Sequence, residues 1–329
     1  MFRILSPQKE SKIGQNNPEN RRTLNFERGL ILFLMKRKSL LLIALSLLLI
    51  LFGVCSHHQP TPQVYDCFLF FNELELLEIR LHEMAPYVDH FVIVEANETF
   101  RGAPKPYYFA ENRERFAQFA DKIIHIQLEE HLETDNPWIR ERYQRQQVFR
   151  GLKNCNRKDI IFLSDVDEIV RGSLIPTIVE KITSQEMQAI VCRQKMYFGY
   201  MNRFQATWSG SVCTTFERAK KLSAKKMRRL RNMQPRLLRK THISKMCTLD
   251  QAGWHFTSMG GMERYIRKLQ SYSHVEADTS EAKTETHRSQ IINAFTLEPI
   301  DETFPQFVRD HQAHLEAIGF LEPVPHTSH

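Results

Sequence analysis

The sequence has few of the residues that mark a fibrous, disordered or disulfide-rich chain. Its 329 residues include only 12 glycines and 14 prolines, which excludes a collagen-like or low-complexity protein. Six cysteines are scattered without a CxxC spacing. This spacing argues against a zinc site or a dense disulfide framework and leaves room for one or two bridges. With 42% apolar residues, the chain can bury one sizeable core, and we expect a single globular domain.

The charge balance favours an anionic partner but does not identify which kind. A formal net charge of +7 suits nucleic acid, a membrane surface or a phosphorylated small substrate. Much of this charge lies in FERAKKLSAKKMRRLRNMQPRLLRK at residues 216–240. Because no interleaved aromatics or nucleic-acid-binding module accompany this run, we expect a solvated face or an arm for an acidic acceptor, and no nucleic acid.

One long apolar run lies near the start of the chain. Residues 39–55 read SLLLIALSLLLILFGVC and directly follow Lys36, Arg37 and Lys38. As a helix the run spans about 25 Å, slightly short of a bilayer core. A run that is apolar on every face and preceded by basic residues favours a transmembrane anchor over a buried core helix. A cleaved signal peptide is the rival interpretation.

The distribution of basic residues predicts the orientation of this anchor. No Lys or Arg follows the run until Arg80, so the chain is expected to be a single-pass type II membrane protein. The predicted organisation is a cytosolic tail at residues 1–38, an anchor at 39–55, a stem at 56–64 and a folded domain at 65–329.

Strand-like and helix-like segments alternate after the stem. Buried strands are predicted at YDCFLFF (65–71), FVIV (91–94), residues 123–126 and IIFL (160–163). Leucines at helical spacing follow the first strand, and a helix-compatible stretch precedes the last. This alternation predicts an α/β fold with a mainly parallel sheet.

An acidic motif, SDVDE at residues 164–168, follows the strand IIFL directly. Side chains at i and i+2 of an extended segment point the same way, so Asp165 and Asp167 can converge on one cation while Val166 turns into the core. Mg²⁺ and Mn²⁺ prefer such carboxylate ligands together with phosphate oxygens. The motif therefore predicts a metal-diphosphate clamp, a pattern that also suits metal-dependent phosphatases and nucleotidyltransferases.

Four stretches together resemble glycosyltransferase family 17, the family of the eukaryotic bisecting N-acetylglucosaminyltransferase and many bacterial relatives. They are YDCFLFFNELELLEIRL (65–81), VDHFVIVEANETFRGAPKP (88–106), IIFLSDVDEI (160–169) and AGWHFTSMGG (252–261). The resemblance implies an inverting transfer of N-acetylglucosamine from UDP-N-acetylglucosamine onto a mannose-containing glycan. It also implies a GT-A-like nucleotide-sugar-binding fold. An anchored enzyme of this kind would face the Golgi lumen in a eukaryote or lie in the inner membrane of a bacterium.

The resemblance further implies a divalent cation, Mn²⁺ or Mg²⁺, held by Asp165 and Asp167. His255, in GWHF, is expected to be a third metal ligand. An isolated histidine between aromatic neighbours would otherwise be a core residue.

Other residues are assigned to the nucleotide sugar. Glu95 and Asn97 follow FVIV, so we expect them to hydrogen-bond a ribose or uracil, unless they merely cap the strand. Arg145, in WIRERYQRQQ, is expected to contact the diphosphate, although arginines there could also form a solvated face. Trp254 is expected to stack on a sugar, with a core position as the alternative.

An inverting transfer also needs a base to take the acceptor's proton. The candidates are Glu168, Asp250, Glu263 and Glu276, and Glu263 is the choice because it closely follows the GWHF segment at the start of a predicted helix. A bacterial-type transferase that uses another nucleotide sugar to decorate a surface or lipid-linked polysaccharide is the runner-up function. An inactive membrane-bound lectin and a metal-dependent phosphohydrolase are further alternatives.

Overall fold

The computed structural model of this chain describes residues 18–55, 61–233 and 243–324. The chain divides into two compact units, Met1–Thr61 and Pro62–His329. The described part of the first unit is dominated by one long helix, α1 (Pro18–Cys55). Its apolar side chains at Leu40, Leu41 and Leu42 are exposed.

The predicted membrane anchor at residues 39–55 is not supported. Among the described residues, no helix combines the length and the apolar character that a bilayer crossing requires. The apolar run has only 17 residues, and α1 carries Lys36, Arg37 and Lys38 in the same continuous helix. Residues 1–17 of the predicted tail and 56–60 of the predicted stem lie outside the described residues.

The second unit is built on a ten-stranded sheet. Its strands are β1 (Val64–Phe70), β2 (His90–Ala96), β3 (Ile123–Leu128), β4 (Ile160–Asp165), β5 (Glu168–Val170), β6 (Ala189–Phe198), β7 (Arg203–Thr215), β8 (Met246–Leu249), β9 (Gly253–Thr257) and β10 (Thr296–Leu297). The sheet order is β3-β2-β1-β4-β7-β6-β9-β5, with β8 paired to β6 and β10 to β7. The four strands predicted from the sequence are therefore confirmed as β1 to β4.

Nine helices accompany the sheet in the described part of this unit. They are α2 (Leu74–Met84), α3 (Tyr108–Glu111), α4 (Pro137–Gln146), α5 (Ile175–Thr183), α6 (Phe216–Arg229), α7 (Gly261–Ser271), α8 (Glu285–Asn293), α9 (Gln306–Asp310) and α10 (Gln312–Ala317). Short 3₁₀ segments include Gln147–Leu152, which continues α4, and Leu230–Asn232, which continues α6.

The sheet is mixed, so the prediction of a mainly parallel sheet is correct only in part. Strands β1 to β4 pair in parallel, and β6 pairs in parallel with β8 and β9. Strand β7, however, runs antiparallel to both β4 and β6, and β5 runs antiparallel to β9. Strands β6 and β7 are joined by a four-residue turn, residues 199–202, and so short a connection permits only antiparallel pairing. Gly199 opens this turn with φ of +77°, a conformation that favours glycine.

Apolar layers cover both faces of the sheet. In β1, Phe68 and Phe70 point into one core cluster, while Cys67 and Leu69 point into the other. Burial on both faces explains why every residue of β1 except Asp66 is apolar or aromatic instead of alternating with polar residues. Because β1 to β4 are parallel, their carboxyl ends lie together at one polar edge of the sheet, where ligands of α/β proteins bind.

The five cysteines other than Cys55 are free thiols.

Candidate active site

A cavity of about 490 Å³ lies at the carboxyl ends of β1 and β4. Helices α4, α6 and α7, strands β5, β6, β7 and β9, the 3₁₀ segment after α6 and the loops that follow β1, β2 and α7 also contribute to its lining. This volume is in the range of small-molecule and cofactor sites. The acidic motif forms part of its wall.

The two aspartates of the motif face the cavity as the alternation of an extended chain predicts. Asp165 is the last residue of β4, and Asp165 and Asp167 both line the cavity. Val166, between them, is 3% exposed and packs in the core. The motif is therefore anchored by an apolar side chain in its centre.

Arg80, a fully buried residue of α2, fixes the backbone of this motif. Its guanidinium donates to both carboxylate oxygens of Asp66, at 2.6 and 2.7 Å, and to Ser164 Oγ at 2.6 Å. It also donates to three carbonyls of the acidic loop, those of Asp165 (2.9 Å), Val166 (3.2 Å) and Glu168 (2.9 Å). The position of the acidic loop thus depends on one buried ion pair.

The Asp165 carboxylate is held between two guanidinium groups. Arg145 Nη1 of α4 donates to Oδ1 at 2.7 Å, and Arg228 of α6 donates to Oδ2. Burial raises the pKa of Asp165, but the charges of Arg145 and Arg228 outweigh it and hold the pKa well below its ordinary value. Asp165 is therefore ionised at neutral pH.

Asp167 lies between an ammonium and an imidazole. Lys268 Nζ of α7 donates to Asp167 Oδ2 at 3.0 Å and to Thr257 Oγ1 at 3.0 Å. His255 Nε2 of β9 is 3.5 Å from the same Asp167 oxygen. Burial raises the pKa of Asp167, whereas the charges of Lys268 and His255 lower it, and the net pKa is well below the ordinary value.

The three predicted metal ligands converge only in part. Asp167 and His255 lie together, and His255 Nδ1 is buried without a hydrogen-bond partner. Both oxygens of Asp165, however, accept hydrogen bonds from guanidinium groups. Within residues 18–55, 61–233 and 243–324, no group of three His, Cys, Asp or Glu side chains is arranged to hold a metal ion. Asp167 and His255 are thus close enough to share one ion, but Lys268 contacts Asp167 and two arginines contact Asp165.

Glu168 is a buried acceptor at the back of the cavity. Its Oε1 accepts from Trp208 Nε1 at 2.8 Å and from Arg231 Nη1 at 3.0 Å, and its Oε2 accepts from the Asp165 N–H at 3.1 Å. The Arg231 guanidinium lies 5.0 Å from the centre of the Trp208 ring. Glu168 therefore organises two cavity residues and is itself fully bonded.

The family is decided by the sequence match that covers this site. A family model, glycosyltransferase family 17, matches residues 44–296, which include every cavity residue described above. The chain belongs to glycosyltransferase family 17. It is a glycosyltransferase, and the sequence resemblance to this family is confirmed.

Curated relatives match a shorter stretch of this family 17 enzyme. The β-1,4-mannosyl-glycoprotein 4-β-N-acetylglucosaminyltransferases of Homo sapiens and Rattus norvegicus are each 32% identical over 107 residues. The match covers 30% of this chain and 20% of each relative, so it spans about a fifth of the length of those proteins.

Solved structures are similar at low sequence identity. A mannosyltransferase from Pyrobaculum calidifontis, in complex with GDP-Man and Mn²⁺, is 12% identical, with a TM-score of 0.41 over 79% of this chain and 72% of that one. S. aureus TarS is 10% identical, with a TM-score of 0.38 over 70% of this chain and 69% of that one.

Four of the predicted site residues of this family 17 chain lie outside the cavity. Glu95 is fully buried and bonded to the Phe109 N–H at 2.9 Å and to His125 Nε2 at 3.0 Å. Asn97 is held through its backbone by Leu128 and Lys105. Because β2 continues to Ala96, the residues that reach the cavity come later, at 98–100.

Trp254 and Glu263 also have other positions than predicted. Trp254 is 1% exposed, in the core beneath Arg171, because successive residues of β9 face opposite sides and His255 takes the cavity side. The Glu263 side chain is 86% exposed and pairs with Arg267 at 2.9 Å. Helix α7 presents Lys268 to the cavity instead.

Arg145, which was assigned to the diphosphate from the sequence, lines the cavity, but Arg228, Arg231 and Lys268 were missed. Arg228 and Arg231 belong to the basic run that predicted a solvated face or an arm for an acidic acceptor, although buried Ala224, Met227 and Leu230 recur every three residues among its basic residues. That spacing is the signal that this helix packs against the domain. Lys268 carried no local signal, because its partner Asp167 lies 101 residues away.

Proposed function

We propose that this family 17 enzyme transfers N-acetylglucosamine from UDP-N-acetylglucosamine to a hydroxyl of a mannose-containing glycan, with inversion at the anomeric carbon. The observation that carries the proposal is a set of four cationic side chains that line the cavity and pair with the acidic motif. They are Arg145, Arg228, Arg231 and Lys268. Such a set complements the diphosphate of a sugar nucleotide. A fifth cationic lining residue, Lys105, pairs with Glu95 instead.

The cations are suited to the leaving group because its charge grows as the sugar departs. A guanidinium or ammonium already held in place stabilises that charge without reorganisation in the transition state. In the structure these groups are positioned by Asp165, Asp167 and Glu168. The acidic motif therefore aligns the cationic side chains in addition to any direct contact with the donor.

We also propose that a divalent cation, Mn²⁺ or Mg²⁺, binds at Asp165, Asp167 and His255 when the donor is present. Carboxylate oxygens and imidazole suit Mn²⁺, and His255 Nε2 lies 3.5 Å from Asp167 Oδ2, so the two side chains are close enough to hold one ion. A bound cation would supply further charge neutralisation for the diphosphate. The arginines that now contact Asp165 would then be available to the phosphate oxygens.

The donor and acceptor assignment rests on the names of the curated relatives and on the family. A transferase that decorates a surface or lipid-linked polysaccharide with another nucleotide sugar would use the same cationic cavity. The two functions differ in donor and acceptor, so a substrate screen separates them.

The test is a donor screen with the purified full-length chain and Mn²⁺. We expect UDP release from UDP-N-acetylglucosamine that increases when a mannose-terminated glycan is added. Asp165→Asn and Asp167→Asn should each reduce the rate by about 10²-fold or more, whereas Glu263→Gln, outside the cavity, should not. Glycan binding without turnover would indicate a lectin. Release of inorganic phosphate would indicate a hydrolase, and release from no sugar nucleotide would overturn the transferase assignment.

A further inference from the structure

Six carboxylates line the cavity, and five of them are already engaged by cationic side chains. The six are Glu73, Glu98, Glu141, Asp165, Asp167 and Glu168. A general base must be free to accept a proton, and a carboxylate paired with arginine resists protonation. The ion pairs of each carboxylate therefore indicate which of the six can act as the general base.

The five engaged carboxylates have defined partners. Arginines or Lys268 hold Asp165, Asp167 and Glu168, as described above. Glu98 pairs with Arg140 Nε at 3.0 Å, and Glu141 pairs with Arg145 Nη2 at 2.9 Å. Each would lose an ion pair on taking a proton.

Glu73 has a different environment. It lies in the turn between β1 and α2, half-buried and on the cavity wall. Among the described residues, no Lys, Arg or His nitrogen lies within 4.0 Å of its carboxylate. Its Oε2 accepts from the backbone N–H groups of Phe71 at 3.2 Å and Asn72 at 3.0 Å. These bonds fix the side chain and leave Oε1 unbonded within the described chain.

We propose that Glu73 is the general base of the sugar transfer, an inference that rests on the proposed function. The Glu73 carboxylate removes the proton of the acceptor hydroxyl as that oxygen's electron pair forms the bond to the anomeric carbon. The bond from the anomeric carbon to the diphosphate oxygen breaks, and its electron pair leaves with the diphosphate. Glu73 then releases the proton to solvent, so no other reactant is needed.

The electrostatics of the cavity agree with this geometry. Burial raises the pKa of Glu73, and the negative charge of Asp167 raises it further, while Lys268 and the backbone N–H groups of Asn72 and Glu73 oppose the shift. The net pKa is raised, opposite to the lowered pKa values of Asp165 and Asp167. Carboxylates in one cavity with pKa values moved apart are suited to different tasks.

Glu73→Gln is the first test, because the side-chain carbonyl of the substituted glutamine can still accept both backbone hydrogen bonds. With saturating donor and acceptor, kcat should fall by about 10²- to 10⁴-fold. The Kd for UDP, measured by calorimetry, and the melting temperature should match those of the wild type. Glu263→Gln is the matched control, since it makes the same substitution at an exposed carboxylate outside the cavity.

Glu73→Ala provides a second measurement that a structural role would not affect. Added formate should restore part of its kcat in proportion to formate concentration, whereas the Glu263→Gln control should not respond. If Glu73→Gln keeps kcat within threefold of wild type, or if the loss appears in UDP binding instead, Glu73 is not the base. If the wild type transfers no sugar at all, the proposed function and this inference fall together.

Discussion

Removing Arg80 should destabilise the protein far more than removing a surface arginine. In Arg80→Ala the fully buried Asp66 carboxylate loses its partner, Ser164 Oγ loses a donor, and three carbonyls of the acidic loop lose theirs. Breaking a buried ion pair from one side costs about 3–5 kcal/mol, because the remaining charge is uncompensated. At about 2–4 °C per kcal/mol for a domain of this size, the melting temperature should fall by about 6–20 °C.

Urea denaturation and a thermal melt measure this effect. Arg115→Ala is the matched control, because Arg115 pairs with Glu78 at the surface and such pairs contribute about 0–1 kcal/mol. The double variant Asp66→Ala/Arg80→Ala should lose less stability than the sum of the two single variants, since neither charge is left alone. A loss below about 1 kcal/mol in Arg80→Ala would refute the view that this ion pair fixes the acidic loop.

Two further predictions concern the charges of the cavity. Lys268→Ala should raise the donor KM by about tenfold, the effect of one charge-assisted contact of roughly 1.4 kcal/mol, whereas the exposed Lys226→Ala should leave it unchanged. Steady-state kinetics in UDP-N-acetylglucosamine check this, and equal KM values in the two variants would contradict it. The lowered pKa values of Asp165 and Asp167 stabilise the fold above the unfolded pKa of about 3.9, and this stabilisation is lost as the pH falls toward the folded values. Between about pH 6 and pH 2, the melting temperature should therefore fall more steeply for the wild type than for Asp165→Asn/Asp167→Asn. Parallel curves would show that these two carboxylates do not cause the loss of stability in acid.

Predictions from single segments miss cavity-lining residues where the end of a strand decides which side chains reach the cavity. The sequence places Glu95 and Asn97 at the cavity because they follow four apolar residues, but β2 extends to Ala96 and its pairing with β3 continues through the backbone of Asn97. The nearest residues after β2 that line the cavity are therefore 98–100, one to three positions after Asn97. Strand ends depend on the neighbouring strand, so a single segment does not define them.

The sequence by itself determined the four parallel strands β1 to β4 and the position of the acidic motif. Both follow from local rules: apolar runs form buried strands, and alternate residues of an extended chain face the same side. Only the tertiary structure decided what surrounds the motif. Arg228 and Lys268 reach Asp165 and Asp167 across 63 and 101 residues of chain. Charge pairing over such separations leaves no periodic signal in the sequence. The two aspartates by themselves therefore indicate a metal-diphosphate clamp, and only the structure shows the cationic side chains that pair with them.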